Sequence, residues 1–270
     1  MKRTRRLVEW ARPITKSFAE HNLPTHTGAI AFRVLVSLVP LALLGLGMLG
    51  ALGLEDVWAD SLAPSVQERV SAPVFTAIDF SIEEIFASGA LGLIGFASLL
   101  LLWELSRAVR AIMVALNAIH EVEEGRSATR LLTTTLALAL AIGLALIGSV
   151  LAVTVLPRLG LDGVGHVLLT IAAWLVAIAL LTLVVGLLVR YAPAERPSVG
   201  WASAGSLLVV ATWIVTSLAF GWWAGSIANY KSAVGSLTVF LLLTAYVLVS
   251  SAIFLVGVEL DELGRKEKTS

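Results

Sequence analysis

Two stretches of this chain, Leu131–Leu156 and Val234–Val258, contain no charged residue. A helix rises about 1.5 Å per residue, so about 20 apolar residues cross the roughly 30 Å hydrocarbon core of a bilayer. Both stretches exceed that length, and so do four others with few or no charges: 28–54, 88–117, 165–189 and 200–227. The breakers between them are Pro64 and Pro73, Glu123 to Arg126, Pro157, Pro193 to Pro197, and Asn229 to Lys231. The pattern predicts an all-α, polytopic membrane protein. It forms one membrane domain over 1–270, with a bundle of six transmembrane helices, an N-terminal flank of 1–27 and a C-terminal tail of 259–270. Composition agrees, with 58% hydrophobic and 14% charged residues against about 45–50% and about 25% in soluble domains. Transmembrane β-strands would alternate polar and apolar residues, which these segments do not.

Orientation follows from Lys and Arg, which cytoplasmic flanks retain. Lys2, Arg3, Arg5, Arg6, Arg12 and Lys16 precede the first span; Arg126, Arg130, Arg190, Arg196, Arg265, Lys266 and Lys268 fall at the same side. Only Arg69, Arg158 and Lys231 fall opposite. Both termini are therefore expected in the cytoplasm. The basic N-terminus is not read as a signal peptide, because no apolar run follows before residue 28.

Residues 55–87 form the longest segment on the other side. Glu55, Asp56, Asp60, Asp79, Glu83 and Glu84 interleave with Val66, Phe75, Ile78, Ile82 and Phe86 at helical spacing. One or two external amphipathic helices are expected there, acting as a lid or as a seal on the bundle. Small residues mark candidate helix contacts: Ser217, Gly221 and Gly225; Gly89, Gly92 and Gly95; Ala137, Ala141 and Ala145.

Charges inside spans cost about 2.5–3.5 kcal/mol each on insertion scales and therefore need a partner, water or a function. The second span carries Glu104, Arg107 and Arg110, with Asn117 seven residues further along the same face. Arg33 in the first span and Glu259 at the end of the sixth fall at similar depth. Two readings follow for Arg33, Glu104, Arg107, Arg110, Asn117 and Glu259. In one, the charges pair and lock the helices; in the other they line a substrate path whose arginines suit an anionic lipid or solute. Pro40 is expected to kink the first span near Ser37.

Other chemistries find no support. The chain has no cysteine, which removes disulfides, Cys-ligated zinc and thiol catalysis. The four histidines, His21, His26, His120 and His166, lie on different segments without metal-ligand spacing, and no phosphate-binding Gly-rich loop with Lys-Ser/Thr occurs. With a formal net charge of +0, nothing points to nucleic acid. No catalytic residue, metal or cofactor is assigned, the bilayer is the expected partner, and oligomeric state stays open.

Several of these motifs resemble one family. Gly28-Ala29-Ile30-Ala31-Phe32-Arg33, leading to Ser37-Leu38-Val39-Pro40, is similar to the opening of the YihY/BrkB family of bacterial inner-membrane proteins. So are Trp103-Glu104-Leu105-Ser106-Arg107, Asn117-Ala118-Ile119-His120, Glu124-Gly125-Arg126, Tyr191-Ala192-Pro193, Tyr246 and Leu255-Val256-Gly257-Val258-Glu259. Arg33 and Glu104 depart from the family pattern. The resemblance spans about residues 17–262. It implies a six-helix inner-membrane protein, with members linked to export of lipid-like or other solutes; the ribonuclease name some members carry is not supported by the residues here.

Overall fold

The computed structural model describes residues 18, 20–67, 72–87, 90–159, 163–195, 204–226 and 233–269. Among these, the chain is α-helical. The principal helices are α1 (Leu23–Ala51), α2 (Ala63–Gln67), α3 (Ala72–Ala87), α4 (Ala90–Ile119), α5 (Ala128–Val155), α6 (Val164–Tyr191), α7 (Ala204–Ser226) and α8 (Ala233–Thr269). A short π-helix, Val57–Leu62, leads into α2, and a 3-10 turn, Leu156–Arg158, follows α5. The basic residues Lys2 to Lys16, with Arg69, Gly89, Arg196 and Lys231, lie outside the described residues.

Five helical stretches are long and apolar enough to cross a membrane: Leu23–Ala51, Ala128–Arg158, Val164–Tyr191, Gly205–Trp223 and Phe240–Lys266. A sixth span arises if Phe75–Phe86 and Leu91–Ile119 count together. The outer faces of these helices are apolar: Leu140 and Leu144 on α5, Ile171, Trp174 and Leu175 on α6, and Leu218 and Trp222 on α7 are all exposed. Apolar surface on that scale is not tolerated in water and marks the lipid-facing side of a multi-pass membrane protein.

Helix ends explain where the boundaries fall. α1 ends in a Schellman motif, with Leu54 N–H donating to Leu49 O (2.9 Å) and Gly53 N–H to Gly50 O (3.1 Å). Gly53 sits at φ +65°, a conformation that glycine adopts without a Cβ penalty. α5 starts at residue 128, before its apolar run, because Ser127 caps it by accepting from Arg130 N–H. α8 continues beyond the apolar run ending at Val258, since Glu259–Lys268 are mostly good helix formers. Helical geometry persists on both sides of the buried Pro40.

Contacts divide the chain into two units: residues 1–30, 105–214 and 250–270, and residues 31–104 and 215–249. In the first, α5 and α6 form a long hairpin. Val109, Met113, Leu116 and Ile119 of α4, Val185 of α6 and Leu255 of α8 are buried in its core, with Leu23 at the start of α1. The beginning of α7 and the end of α8 meet there backbone to backbone. A Cβ on Gly205 would lie 2.3 Å from the Gly257 carbonyl oxygen, and one on Gly257 would lie 2.2 Å from Val209 Cγ2. Trp213 Nε1 donates to Ser250 O (2.8 Å) and its ring stacks on Phe254.

In the second unit the segment between α1 and α4 folds on itself. Trp58, Ala63 and Ile82 form a small core with Leu46, Val66, Phe75, Ile78 and Phe86 around it, and Trp58 Nε1 donates to Asp79 Oδ1 (2.9 Å). A Cβ on Gly50 would reach within 3.0 Å of Phe86 Cδ1, and one on Gly47 within 3.0 Å of Ile94 Cγ1. Farther along α7 and α8, Ser217 shares a hydrogen bond with the Tyr246 hydroxyl (2.8 Å), and Phe220 meets the Tyr246 ring edge-on. Two of the three expected small-residue stripes, those with Gly92 and Gly95 and with Gly221, need correcting. Gly92, Gly95 and Gly221 have no atom within 4 Å of an added Cβ, and the close helix approach lies at Gly205 and Gly257 instead.

Candidate functional site

The end of α8 carries Glu259, Glu262 and Arg265 at three-residue intervals, which places them on neighbouring turns of one face. Both carboxylates are only 1% exposed, so each needs donors to remain charged. His21 Nδ1 lies 3.1 Å from Glu259 Oε2, and His120 Nδ1 lies 2.9 Å from Glu262 Oε2. Arg265 completes the second pair, with Nε donating to Glu262 Oε2 (2.9 Å) and Nη2 to Oε1. Two histidines that sequence spacing leaves unrelated are thus gathered on one helix by two glutamates.

His120 and Glu121 follow α4 directly, and the way α4 stops positions both. Val122 N–H donates to Asn117 O (3.0 Å) and Glu121 N–H to Ala118 O (3.2 Å), again a Schellman motif. Here the left-handed position is filled by Glu121, at φ +53°, which costs about 1–2 kcal/mol in a residue other than glycine. The geometry aims its carboxylate at Lys266 Nζ, 2.6 Å away, with His21 Nε2 at 3.7 Å. The hydrogen bond and charge of Lys266 hold the Glu121 carboxyl below its ordinary range.

Beside this network lies a second brace. Asn117 is buried, its Nδ2 donating to Glu124 Oε2 (3.1 Å) and its Oδ1 accepting from Ala194 N–H (2.7 Å). Arg126 forks onto Glu124 through Nε (2.7 Å) and Nη2 (2.6 Å), and Nη2 also donates to Ala192 O (2.9 Å). The loop after α4 is thereby tied to the chain leaving α6. Asn117, Glu124-Gly125-Arg126 and Tyr191-Ala192-Pro193, far apart in sequence, converge here. At the start of α7, Gly205 N–H donates to Asp261 Oδ1 (2.8 Å).

The hydrogen bonds from Arg126 pull the Glu124 carboxyl down to about 2 from its ordinary 4.5, against the opposing effect of burial. A carboxylate with a lowered native pKa stabilises the fold above its unfolded pKa and loses that contribution as pH falls toward the native value. Arg126→Gln is therefore expected to destabilise the protein fully at pH 6. The gap from wild type should narrow between pH 4.5 and 2, measured by thermal unfolding in detergent across that range. A gap independent of pH would show that Glu124 is not held this way.

Of the residues singled out by sequence, Asn117 and Glu259 take part in these networks. Arg107 and Arg110 lie in the same unit with exposed side chains, while Glu104 is half-buried and belongs to the other unit. Arg33 is also in that other unit, half-buried, with its guanidinium 5.6 Å from the Phe32 ring centre. His21, His120, Glu121, Glu124, Arg126 and Glu262 were not anticipated as site residues. The signals available were the motifs Asn117–His120 and Glu124–Arg126, and the spacing of Glu262 and Arg265, which reads equally as an ordinary helical ion pair.

Among the described residues, no group of three or more His, Asp or Glu could hold a metal. An open apolar groove of ≈ 430 Å³ runs along the α5–α6 hairpin between Thr133, Thr134, Ala137, Ala141, Leu187 and Tyr191.

No solved structure matches the chain. It is 23% identical over 273 residues to a ribonuclease-like protein, YfkH, of Bacillus subtilis (strain 168), with 97% of each chain covered. A family profile described as Virulence factor BrkB matches residues 14–270. With nearly its whole length matched, the chain belongs to the Virulence factor BrkB family.

Proposed function

We propose that this protein is a bacterial inner-membrane transporter or exporter of an anionic, lipid-like or other solute, with both termini in the cytoplasm. The charged face of α4 forms part of its path. The observation that carries the reading is the exposure of Arg107 and Arg110 within the apolar stretch Leu91–Ile119. Charged side chains are costly within an apolar span, and two exposed arginines one turn apart suit the phosphate or carboxylate of an anionic solute. Orientation rests on the bias of Lys and Arg toward the terminal side.

The test is flux of a fluorescent anionic phospholipid in proteoliposomes. Arg107→Ala and Glu104→Gln are expected to reduce flux at least about tenfold, equivalent to about 1.4 kcal/mol, while folded yield stays unchanged. Unimpaired flux in both folded variants would overturn the assignment of the path.

A second reading, a non-transporting scaffold or envelope-integrity factor, draws on the braces between helix ends: Asn117 and Arg126 reach the chain after α6, and Lys266 reaches Glu121. It predicts a protein that moves no solute even as wild type. Neither reading includes nuclease chemistry.

A further inference from the structure

The groove along the α5–α6 hairpin lies on helices that the proposed path does not use. On α5, Arg130, Thr134, Ala137 and Ala141 follow at three- or four-residue intervals and so share one face. Thr134, Ala137 and Ala141 line the groove, with Leu187 and Tyr191 opposite them on α6. From Thr134 to Ala141 the helix rises about 10 Å. The two alanines are too small to fill the space beside them, and neither is buried, whereas Ala145 farther along is. Thr133 and Thr134 turn their hydroxyls back to the Arg130 carbonyl oxygen (3.0 and 2.8 Å), so the wall they present is methyl. A wall that offers so few hydrogen bonds suits hydrocarbon and penalises a hydrated solute.

One end of the groove is charged. Arg130 is exposed, stands one turn before Thr134 and immediately precedes the apolar run of α5; no ion pair engages it among the described residues. Across the hairpin, the Arg190 guanidinium lies 5.9 Å from the centre of the Tyr191 ring, which itself lines the groove. Both arginines belong to the same end, because the hydrogen bond from Arg126 to Ala192 O ties the chain before α5 to the chain after α6. Long cationic side chains at the end of a span reach for the head-group layer. The hairpin thus presents an apolar slot below and two guanidinium groups above, which is the polarity of an anionic amphiphile.

We propose that this groove is a docking site for an anionic glycerophospholipid, with one acyl chain along Ala137 and Ala141 and the phosphate against Arg130 and Arg190. Basic pockets between transmembrane helices hold anionic head groups in this way, and a guanidinium meets a phosphate with two parallel N–H donors. A helix from a second copy of the chain would be about 10–12 Å across and would set apolar side chains, not an anion, against the arginines. The docked lipid is a resident of the outer surface, not cargo, and the inference does not depend on the transport reading.

The experiment is native mass spectrometry of the full-length protein in non-ionic detergent, titrated with dioleoyl phosphatidylglycerol or dioleoyl phosphatidylcholine. The anionic lipid should be preferred by about 25-fold, and Arg130→Gln should cut that preference about fivefold, the effect of one basic residue facing an anionic surface, leaving phosphatidylcholine binding unchanged. Two further arms test the groove. Dihexanoyl phosphatidylglycerol, with the same head and short chains, should bind wild type at least about tenfold more weakly, since methylene burial is lost. The double variant Ala137→Leu, Ala141→Leu fills the slot while keeping both arginines, and should weaken dioleoyl phosphatidylglycerol binding to a similar degree. The short-chain arm needs no variant, so it decides the matter even where the filled groove lowers folded yield.

Equal retention of the two dioleoyl lipids, unchanged in Arg130→Gln, would overturn the proposal, as would displacement of the lipid by excess sodium phosphate or chain-length independence. A dimer that retains no lipid and is split by the groove-filling variant would show that a second copy covers this face instead. Retained phosphatidylglycerol in a protein without flux would count against transport alone, and flux without retention against the docking site alone.

Discussion

Gly205→Ala is expected to destabilise the protein in detergent by about 3 kcal/mol or more, the upper range for forcing extra atoms into a packed site. Its added methyl would stand 2.3 Å from a backbone oxygen and 2.5 Å from the Asp261 carboxyl carbon. A backbone atom cannot swing aside as a side chain can, so α7 and α8 must separate. That separation also breaks the Gly205–Asp261 hydrogen bond and the Trp213–Ser250 bond farther along. Gly221→Ala is the control. It has open space around the added Cβ and is expected to be neutral or to stabilise by less than about 1 kcal/mol, through lower entropy of the unfolded chain. Comparable melting temperatures for Gly205→Ala and wild type would show that the two helices do not touch at these glycines.

The second large effect is expected at Glu262. Glu262→Leu should destabilise the protein by about 3 kcal/mol, near the lower end for breaking a buried ion pair. Two donors lose their acceptor, but unequally. Arg265 is 41% exposed and can turn to water, whereas His120 is nearly buried and left with Nδ1 and Nε2 both unmet. The double variant Glu262→Leu, His120→Leu is therefore expected to recover a substantial part of the loss, because removing both partners of a buried hydrogen bond costs less than orphaning one. Chemical denaturation of the two single variants and the double variant forms the cycle. Strict additivity would mean that the pair does not interact in solution.

Much of the fold was legible from residue order. Leu131–Leu156 and Val234–Val258 could only be apolar helices in lipid, because hydropathy is a local property summed along the chain. Helix ends were less legible. α5 begins ahead of its apolar run on the Ser127 cap, and α8 runs well past Val258 through charged residues that remain helical. Capping and helix propensity, not hydropathy, decide such boundaries.

The candidate site was less legible still. Glu259 and Asn117 stood out because polar groups are costly near the end of an apolar span, and both take part in the networks. His21 and His120 did not stand out. Their partners lie 238 and 142 residues away along the chain, and no local spacing records a pairing made across a bundle. Arg126 likewise read as an orientation signal, yet its guanidinium is nearly buried against Glu124 and the Ala192 carbonyl.

By itself, then, the order of residues determined that this chain is helical and belongs in a bilayer, since the cost of exposing apolar side chains to water depends only on how many follow one another. Which histidine meets which glutamate was decided by tertiary structure alone. Glu259 and Glu262 are buried, with His21 from before α1 and His120 from after α4 against them, and burial is what makes a carboxylate require the partners it has.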